Sequence, residues 1–330
     1  MQSNCKKMAI YFILALFLVF IFFFIGFSKP KEDIVWGVNF SQKYCANLGL
    51  DWKQTYSALL DDMGAKNIKI AVHWDLMNPS KDKFYFDDLD WQINKAQESK
   101  AKVMLVIGMK TPRWPECHIP TWTSKDAKQA QQEEIMAMLR ETVLRYKDHP
   151  AVAWWQVENE PFFKFGECPW KDDDFLKQEV ALVRQLSNKP IVISDSGEWS
   201  MWLRAGRLGN IVATTMYRVA WMDNLKTYFN YPYPPIFYKR KADLVKLFLN
   251  KDVICGELQA EPWGPKTVYE ISLDEQKKTM NKDQFTKNIE FAKKTNLSAF
   301  YLWGGEWMYW MKTKNNDASV WEEAKKLFRK

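Results

Sequence analysis

The sequence predicts a single (β/α)8 barrel preceded by an apolar N-terminal helix. Two observations support the barrel: eight short apolar runs alternate with amphipathic stretches, and 330 residues suit one large domain. Short continuous apolar strands separated by helices indicate a parallel sheet buried on both faces, and eight such units close into a barrel. A doubly wound open sheet is the alternative. The glycine pattern typical of its phosphate loop is missing after the first strand, at Gly37.

The predicted elements run through the whole chain from residue 34. Strands are predicted at 34–40, 68–72, 103–108, 152–157, 191–194, 211–216, 253–256 and 299–303. Helices are predicted at 89–98, 127–146, 174–186, 241–249 and 273–294. Ser272 and Glu275 have the spacing of a capping box, which predicts the start of the last of these helices. The barrel domain is therefore expected to span residues 34–330.

The first 27 residues lie outside the predicted barrel. Residues 8–27 form an uninterrupted apolar stretch that follows Lys6 and Lys7, and about 20 such residues cross a hydrocarbon core. No small-residue cleavage pattern follows, so we predict an uncleaved transmembrane signal anchor with a cytoplasmic tip, and a linker at 28–33. A cleaved signal peptide is the alternative. The barrel is thus expected outside the cytoplasm, either anchored to the membrane or secreted.

Composition excludes some partners and cofactors. The net charge is +7, but basic and acidic residues are mixed without basic blocks, so nucleic acid is not an expected partner. Only three histidines occur, and neither CxxC nor HExxH spacing is found, so no metal or other cofactor is expected. We expect a monomer.

Two carboxylates end apolar strands on the same predicted face of the barrel. The fourth strand runs into a Val-Glu-Asn-Glu-Pro sequence, and the proline after Glu160 leaves that carboxylate at the strand tip. About a hundred residues later, the seventh strand ends at Glu257. Two strand-tip carboxylates in one barrel supply the acid and the nucleophile or base that cleavage of a glycosidic bond requires.

These motifs resemble those of the clan A glycoside hydrolases, which are retaining (β/α)8 enzymes with catalytic glutamates after strands 4 and 7. The Asn-Glu-Pro sequence at 159–161 is similar to the clan signature, which implies that Glu160 is the acid/base and that Asn159 binds the substrate 2-hydroxyl. The resemblance covers residues 34–328. The Gln-Val-Glu-Asn-Glu run resembles β-galactosidase families, and the size resembles the cellulase and mannanase family five.

The resemblance implies three further roles. Glu257 matches the clan nucleophile, Tyr217 the tyrosine that hydrogen-bonds it, and Trp303 the tryptophan under the −1 sugar. The second strand carries Lys69 where many clan members have arginine, and lysine provides a point charge in place of a rigid fork. Either Lys69 or Arg218 could join Tyr217 in keeping Glu257 ionised.

Two neighbouring glutamates are alternatives to the chosen pair. Glu158 is expected on the same side of its strand as Glu160, so only the Asn-Glu-Pro match favours Glu160. Glu257 is preferred to Glu261 because it continues the apolar strand directly.

Many of the 17 tryptophans lie in predicted loops at strand ends, where flat apolar faces suit the stacking of sugar rings. The simpler explanation is a large core. The loop tryptophans are Trp74, Trp114, Trp122, Trp170, Trp199, Trp202, Trp263 and Trp307. The predicted substrate contacts are Asn159, Tyr217, Trp303, His73, Trp74, Trp114 and Lys69.

The sequence therefore predicts a retaining glycoside hydrolase that cleaves a β-linked oligo- or polysaccharide by double displacement. A transglycosylase or a carbohydrate-binding protein on the same barrel is the alternative. Cys117 and Cys168 follow neighbouring strands, so their loops are expected side by side. Outside the cytoplasm the two cysteines form either a disulfide or a pair of unrelated thiols.

Overall fold

A computed structural model describes residues 2–124 and 127–329, and it contains a closed barrel of eight parallel strands. The barrel strands are β1 (Val35–Phe40), β2 (Asn67–Ala71), β3 (Lys102–Ile107), β4 (Val152–Val157), β5 (Ile191–Asp195), β6 (Ile211–Met216), β9 (Asp252–Gln259) and β10 (Ala299–Trp303). Their order around the ring is β1-β10-β9-β6-β5-β4-β3-β2. The predicted (β/α)8 barrel is confirmed, and each strand lies within a few residues of its predicted position.

The helices surround the barrel or follow its strand ends. They are α1 (Gln2–Phe24), α2 (Gln42–Asn47), α3 (Trp52–Ser57), α4 (Trp74–Met77), α5 (Asp87–Glu98), α6 (Lys128–Tyr146), α7 (Asp173–Leu186), α8 (Leu203–Leu208), α9 (Pro235–Leu249), α10 (Leu273–Lys277), α11 (Lys282–Lys294), α12 (Gly305–Lys314) and α13 (Ser319–Leu327). A π-helical turn at Ala58–Asp62 and a 3-10 turn at Val268–Glu270 complete the regular structure.

The structure differs from the sequence prediction in two secondary-structure elements. The helix predicted over residues 273–294 is two helices, because Asn281 begins a new one by accepting a hydrogen bond from the Gln284 amide at 2.9 Å. A hairpin that was not predicted, β7 (Val219–Met222) with β8 (Thr227–Asn230), follows β6. Its strands have only four residues each, too few to show a clear alternation in the sequence.

The barrel interior is filled by side chains, as expected for eight strands. Met104, Val192, Ala213 and Tyr301 form a buried cluster of their own. Gly37 gives the Tyr301 ring its space, because a Cβ at residue 37 would lie 2.5 Å from that ring. A larger core lies between the strands and the surrounding helices.

The N-terminal helix requires a correction. No helix in the described part of the chain combines the length and the apolar character that crossing a membrane requires, so the predicted transmembrane anchor at residues 1–27 is not supported. The end of α1 instead packs on α9: the rings of Phe23 and Phe24 lie 5.8 Å and 5.6 Å from the Phe237 ring. Arg240 also donates a hydrogen bond to the Ile21 carbonyl at 3.0 Å.

The two loop cysteines form a disulfide. Cys117 and Cys168 are bonded, with their Cα atoms 5.2 Å apart, so the loop after β3 is joined covalently to the loop after β4. The alternative of two unrelated thiols is thus excluded for this pair. Cys45 and Cys255 are buried free thiols.

Removal of this disulfide should lower the stability of the barrel. Its cysteines are 51 residues apart, and closure of a loop of that length should contribute about 4 kcal/mol in the entropic model. We expect a Cys117→Ser/Cys168→Ser double variant to lose up to that much free energy of unfolding, measured by urea denaturation. Reductant should destabilise the wild type but not the double variant. A wild type that is equally stable with and without reductant would contradict the prediction.

Candidate active site

The barrel brings the two predicted catalytic glutamates to one mouth. The carboxyl ends of parallel strands meet on the same face of a closed barrel. Glu257 lies near the end of β9 and Glu160 follows β4. Thr215 in β6 connects them, since it pairs in register with Glu257 and its hydroxyl donates to Glu160 Oε1 at 3.2 Å.

Glu257 is held as a buried carboxylate by two donors. Lys69 Nζ lies 3.0 Å from its Oε1, and the Tyr217 hydroxyl donates to its Oε2 at 3.0 Å. Glu257 and Lys69 are 3% and 1% exposed, so water contributes little to the neutralisation of either charge. Charge-assisted bonds of this kind favour the ionised carboxylate. Of the two cations considered from the sequence, Lys69 takes this place, whereas Arg218 donates to backbone carbonyls of the hairpin region.

Glu160 has a different environment. It is buried, and the structure gives its carboxylate one hydrogen bond, the one donated by Thr215. Its backbone amide donates to the Ser194 hydroxyl at 2.7 Å, which fixes the chain where φ is 40°. Burial, followed by the charge of Glu257, raises the pKa of Glu160 well above its usual range. Burial and the charge of Glu257 therefore both favour the protonated form of Glu160.

A third carboxyl group, Glu116, lies at the same mouth. Asn159 Nδ2 donates to Glu116 Oε2 at 3.1 Å, and Gln156 Nε2 donates to Asn159 Oδ1 at 3.2 Å. Burial raises the pKa of Glu116 to about 7, and the charge of Glu257 adds to the shift. Sequence reasoning did not select Glu116 as a site residue. The useful signal was its position next to Cys117, whose disulfide ties the loop to the one after β4.

The alternative glutamates have other partners. Glu158 accepts hydrogen bonds from the Met109 and Lys110 amides at 2.7 Å and 2.6 Å. Its φ of 57° departs from strand geometry, so strand alternation does not place it beside Glu160. Glu261 forms a buried ion pair with Arg113.

Three predicted contact residues have little surface to offer a substrate. Trp74 is fully buried, and its indole nitrogen lies 3.4 Å from Asn78 Oδ1, so the expected sugar contact at Trp74 is corrected to a core role. His73 is buried between hydroxyls, with Ser41 Oγ 2.9 Å from Nε2 and Thr111 Oγ1 3.2 Å from Nδ1. Trp303 is only 7% exposed, because the Arg113 guanidinium covers its ring.

Other aromatic rings lead from the mouth towards solvent. The Tyr217 ring lies 4.9 Å from Trp263, and Phe165 lies 6.0 Å from both Trp263 and Trp114. The side chain of Trp114 is 53% exposed. Tyr217, Trp263, Phe165 and Trp114, here called the aromatic row, start beside Glu257 and end at the surface. Of the other loop tryptophans, Trp199 is exposed, whereas Trp202 and Trp307 are buried in the core.

The site contains no obvious metal centre. Across residues 2–124 and 127–329, no group of three or more His, Cys, Asp or Glu side chains is arranged to hold a metal ion. Cationic side chains at the mouth include Lys69, which contacts Glu257, and Lys110, whose Nζ donates to the Glu160 carbonyl at 3.2 Å.

Comparison with known families agrees with this geometry. The sequence family Cellulase (glycosyl hydrolase family 5) matches residues 37–326. The chain belongs to glycosyl hydrolase family 5. The predicted resemblance to clan A glycosidases is thereby confirmed. No curated protein matches the chain.

Solved structures share the fold at low sequence identity. A β-galactosidase from Halorubrum lacusprofundi is 14% identical over 82% of this chain and 52% of its own, with a TM-score of 0.52. A GH5_18 enzyme from Streptomyces cattleya with bound GlcNAc is 12% identical over 84% and 71%, with a TM-score of 0.57. A GH5_18 variant from Bifidobacterium longum with bound Manb1-4GlcNAc is 15% identical over 82% and 68%, with a TM-score of 0.58. The chain spans about half the length of the first of these. Such identities establish the fold alone.

The raised pKa of Glu116 should be visible in the pH dependence of stability. Because its pKa rises from 4.5 to about 7 on folding, its favourable contribution is present below pH 4.5 and is lost as the pH rises through 7. Relative to Glu116→Gln, we expect the wild type to lose on the order of 3 kcal/mol of unfolding free energy between pH 4 and pH 8. Urea denaturation across that range measures the difference. The exposed Glu98→Gln is the control, and parallel pH profiles for wild type and Glu116→Gln would contradict the prediction.

Proposed function

We propose that the protein is a retaining glycosidase that hydrolyses a β-linked oligo- or polysaccharide, with Glu257 as nucleophile and Glu160 as acid/base. The observation that carries the proposal is the difference between the two carboxyl environments. Glu257 has a lysine and a tyrosine hydroxyl as donors, which favours the anion. Glu160 is buried with a raised pKa, which favours the protonated acid.

The proposed reaction has two steps. In the first, Glu257 attacks the anomeric carbon to form a glycosyl ester, while Glu160 gives its proton to the departing oxygen. In the second, Glu160 takes a proton from water, the water oxygen bonds to the anomeric carbon, and Glu257 leaves as the carboxylate. The pKa of Glu160 falls when the charge on Glu257 is consumed by the ester, because that charge is one cause of the shift. This change suits a group that acts first as acid and then as base.

Several features support a β-linked carbohydrate as substrate. The aromatic row offers ring faces and edges of the kind on which sugars stack. Asn159 and Glu116 add polar groups that could bind sugar hydroxyls near the nucleophile. Structures with the same fold contain Manb1-4GlcNAc or belong to β-galactosidases. The particular sugar is part of what the experiments below test.

Transglycosylation is the second candidate. The aromatic row adjoins Tyr217, beside the nucleophile, and could hold an acceptor sugar in place of water. A pure binding function is less well supported, because both carboxylates are present in suitable environments. The Cys117–Cys168 disulfide supports action in an oxidising compartment outside the cytoplasm. The monomeric state stays a prediction.

Replacement of Glu257 and replacement of Glu160 should reduce the activity in different ways. Glu257→Ala should lose about 10⁴-fold or more in kcat with every aryl β-glycoside, because no nucleophile remains. Glu160→Ala should lose about 10²–10⁴-fold with poor leaving groups but much less with nitrophenolate, which needs no proton. Steady-state kinetics on gluco-, galacto- and manno-configured aryl β-glycosides measure both. Product anomers followed by NMR should show retention of configuration.

A matched control and two contrary results make this test decisive. Glu98→Gln, far from the mouth on α5, should keep wild-type kinetics and so controls for purification and folding. Full activity of Glu257→Ala would refute the nucleophile assignment. Inversion at the anomeric carbon would refute the double displacement, since an inverting enzyme needs no glycosyl ester. A disaccharide or alcohol acceptor that captures most of the product would favour transglycosylation over hydrolysis.

The aromatic row should contribute to binding of the leaving-group part of the substrate. Trp114 ends the row and is half exposed, so Trp114→Ala should preserve the fold. We expect kcat/KM to fall about 5–50-fold for oligosaccharides, consistent with the loss of one stacking contact, and to change little for small aryl glycosides. Trp199→Ala, an exposed tryptophan outside the row, is the matched control. Equal losses on both substrate sizes would contradict this role.

A further inference from the structure

The loop after β3, here the β3 loop (residues 108–118), reaches across the barrel mouth. Its Arg113 places the guanidinium carbon 3.7 Å from the ring centre of Tyr44 and 3.9 Å from that of Trp303. Tyr44 lies in α2, which follows β1, and Trp303 is the last residue of β10. Both faces of the guanidinium are therefore covered by aromatic rings, and the loop passes over the ends of β2 and β1.

Buried carboxylates hold the edges of the same guanidinium. Nη1 forms an ion pair with Glu261, which follows β9, and Nη2 lies 2.8 Å from Glu306 Oε2 in α12. The three side chains are at most 7% exposed. Glu306 also accepts a hydrogen bond from the Ser41 amide at 2.6 Å. Movement of the guanidinium away from Glu261 and Glu306 would leave two buried carboxylates without a cation, which is strongly unfavourable. Arg113 is therefore fixed in this position.

The backbone of the β3 loop is fixed as well. The Arg113 carbonyl accepts a hydrogen bond from the Glu116 amide at 2.7 Å and lies 3.1 Å from His118 Nε2. Cys117, which follows Glu116, forms the disulfide with Cys168. The small gap beneath the loop, lined by Lys69, Trp303 and Arg113 among others, has no room for a water molecule. Arg113 thus fills the mouth on this side.

The order of the strands around the barrel shows on which side of the cleaved bond Arg113 lies. In the strand order, β4 lies opposite β10. The proposed acid Glu160 follows β4 and protonates the leaving oxygen, so the leaving group lies towards β4 and the aromatic row. The sugar attacked by Glu257 then extends towards β10 and β1. That is the side on which Arg113 stacks against Trp303 and Tyr44.

We propose that Arg113 closes the glycone side of the site after one sugar, so that the enzyme removes single sugars from non-reducing ends. This inference rests on the proposed glycosidase function and assigns Arg113 as the residue that determines exo action. A chain with a second glycone sugar would have to displace Arg113 from both aromatic rings and both carboxylates.

The order of product release tests this inference. The probes are aryl β-glycosides of disaccharides in the configuration that the wild type cleaves best, with products separated by chromatography. The wild type should first release the terminal monosaccharide and leave the aryl monoglycoside. In Arg113→Ala, direct release of the intact disaccharide should rise roughly tenfold or more relative to terminal cleavage, because the second glycone position opens.

A second variant protects the test against misfolding. Arg113→Ala leaves Glu261 and Glu306 buried without a cation, so Arg113→Ala/Glu261→Gln/Glu306→Gln removes the charges together. Arg113→Lys keeps the charge between Glu261 and Glu306 and most of the length of the side chain, so it should keep the wild-type product order. Near-equal melting temperatures and circular dichroism spectra identify folded variants.

The outcomes separate this inference from the function on which it rests. Intact disaccharide as the first product of the wild type overturns the exo assignment while leaving the glycosidase function in place. Folded alanine-containing variants that keep the wild-type product order also overturn it. Wild-type protein that cleaves none of the aryl β-glycosides or β-linked oligosaccharides overturns both proposals. Terminal cleavage by the wild type together with disaccharide release by either alanine-containing variant supports the inference.

Discussion

The constraint on which the rest of this structure depends is that a closed parallel barrel turns every strand's carboxyl end to one mouth. Charged side chains at those ends are brought together where little water can reach them. Each must then be satisfied by another side chain or remain uncharged. The mouth meets this requirement in three ways: Lys69 pairs with Glu257, Arg113 pairs with Glu261 and Glu306, and burial raises the pKa of Glu160. The catalytic proposal rests on the difference between the environments of Glu257 and Glu160.

The mouth shows how one residue type acquires different properties from its neighbours. Glu257 has a cation and a hydroxyl, Glu160 a single hydroxyl, and Glu116 an amide. Burial raises the pKa of both Glu160 and Glu116, but the charge of Glu257 acts on each of them as well. The three carboxyls therefore form one electrostatic system, and a change at Glu257 alters the proton affinity of the other two. In the proposed reaction, this coupling lets Glu160 serve as acid before the ester forms and as base afterwards.

The sequence alone was sufficient for the barrel, because eight apolar runs are long enough to reveal buried strands. It also singled out Glu160 and Glu257, since a proline or a strand end marks each, and the structure brings both to one mouth. Their catalytic roles stay a proposal. The sequence did not reveal the hairpin β7–β8, whose strands are four residues long, or the packing of α1 on α9. Trp74 was misjudged because an aromatic residue after a strand can turn into the core as well as into the mouth. The position of the Arg113 side chain could not be predicted, because all the partners of its guanidinium come from distant parts of the chain.

The β3 loop shows why those distant partners matter for function. A loop of this length that crosses a mouth would ordinarily sample many conformations, and a specificity residue on it would be poorly positioned. Here the disulfide restrains the loop near one end, and Arg113, between two rings and two carboxylates, fixes its middle. Glu116 lies between these two attachments and keeps its contact with Asn159 for that reason. The same loop thus carries Arg113 across the mouth and holds the carboxyl group of Glu116 against Asn159. A change in the loop would therefore alter the shape and the electrostatics of the mouth together.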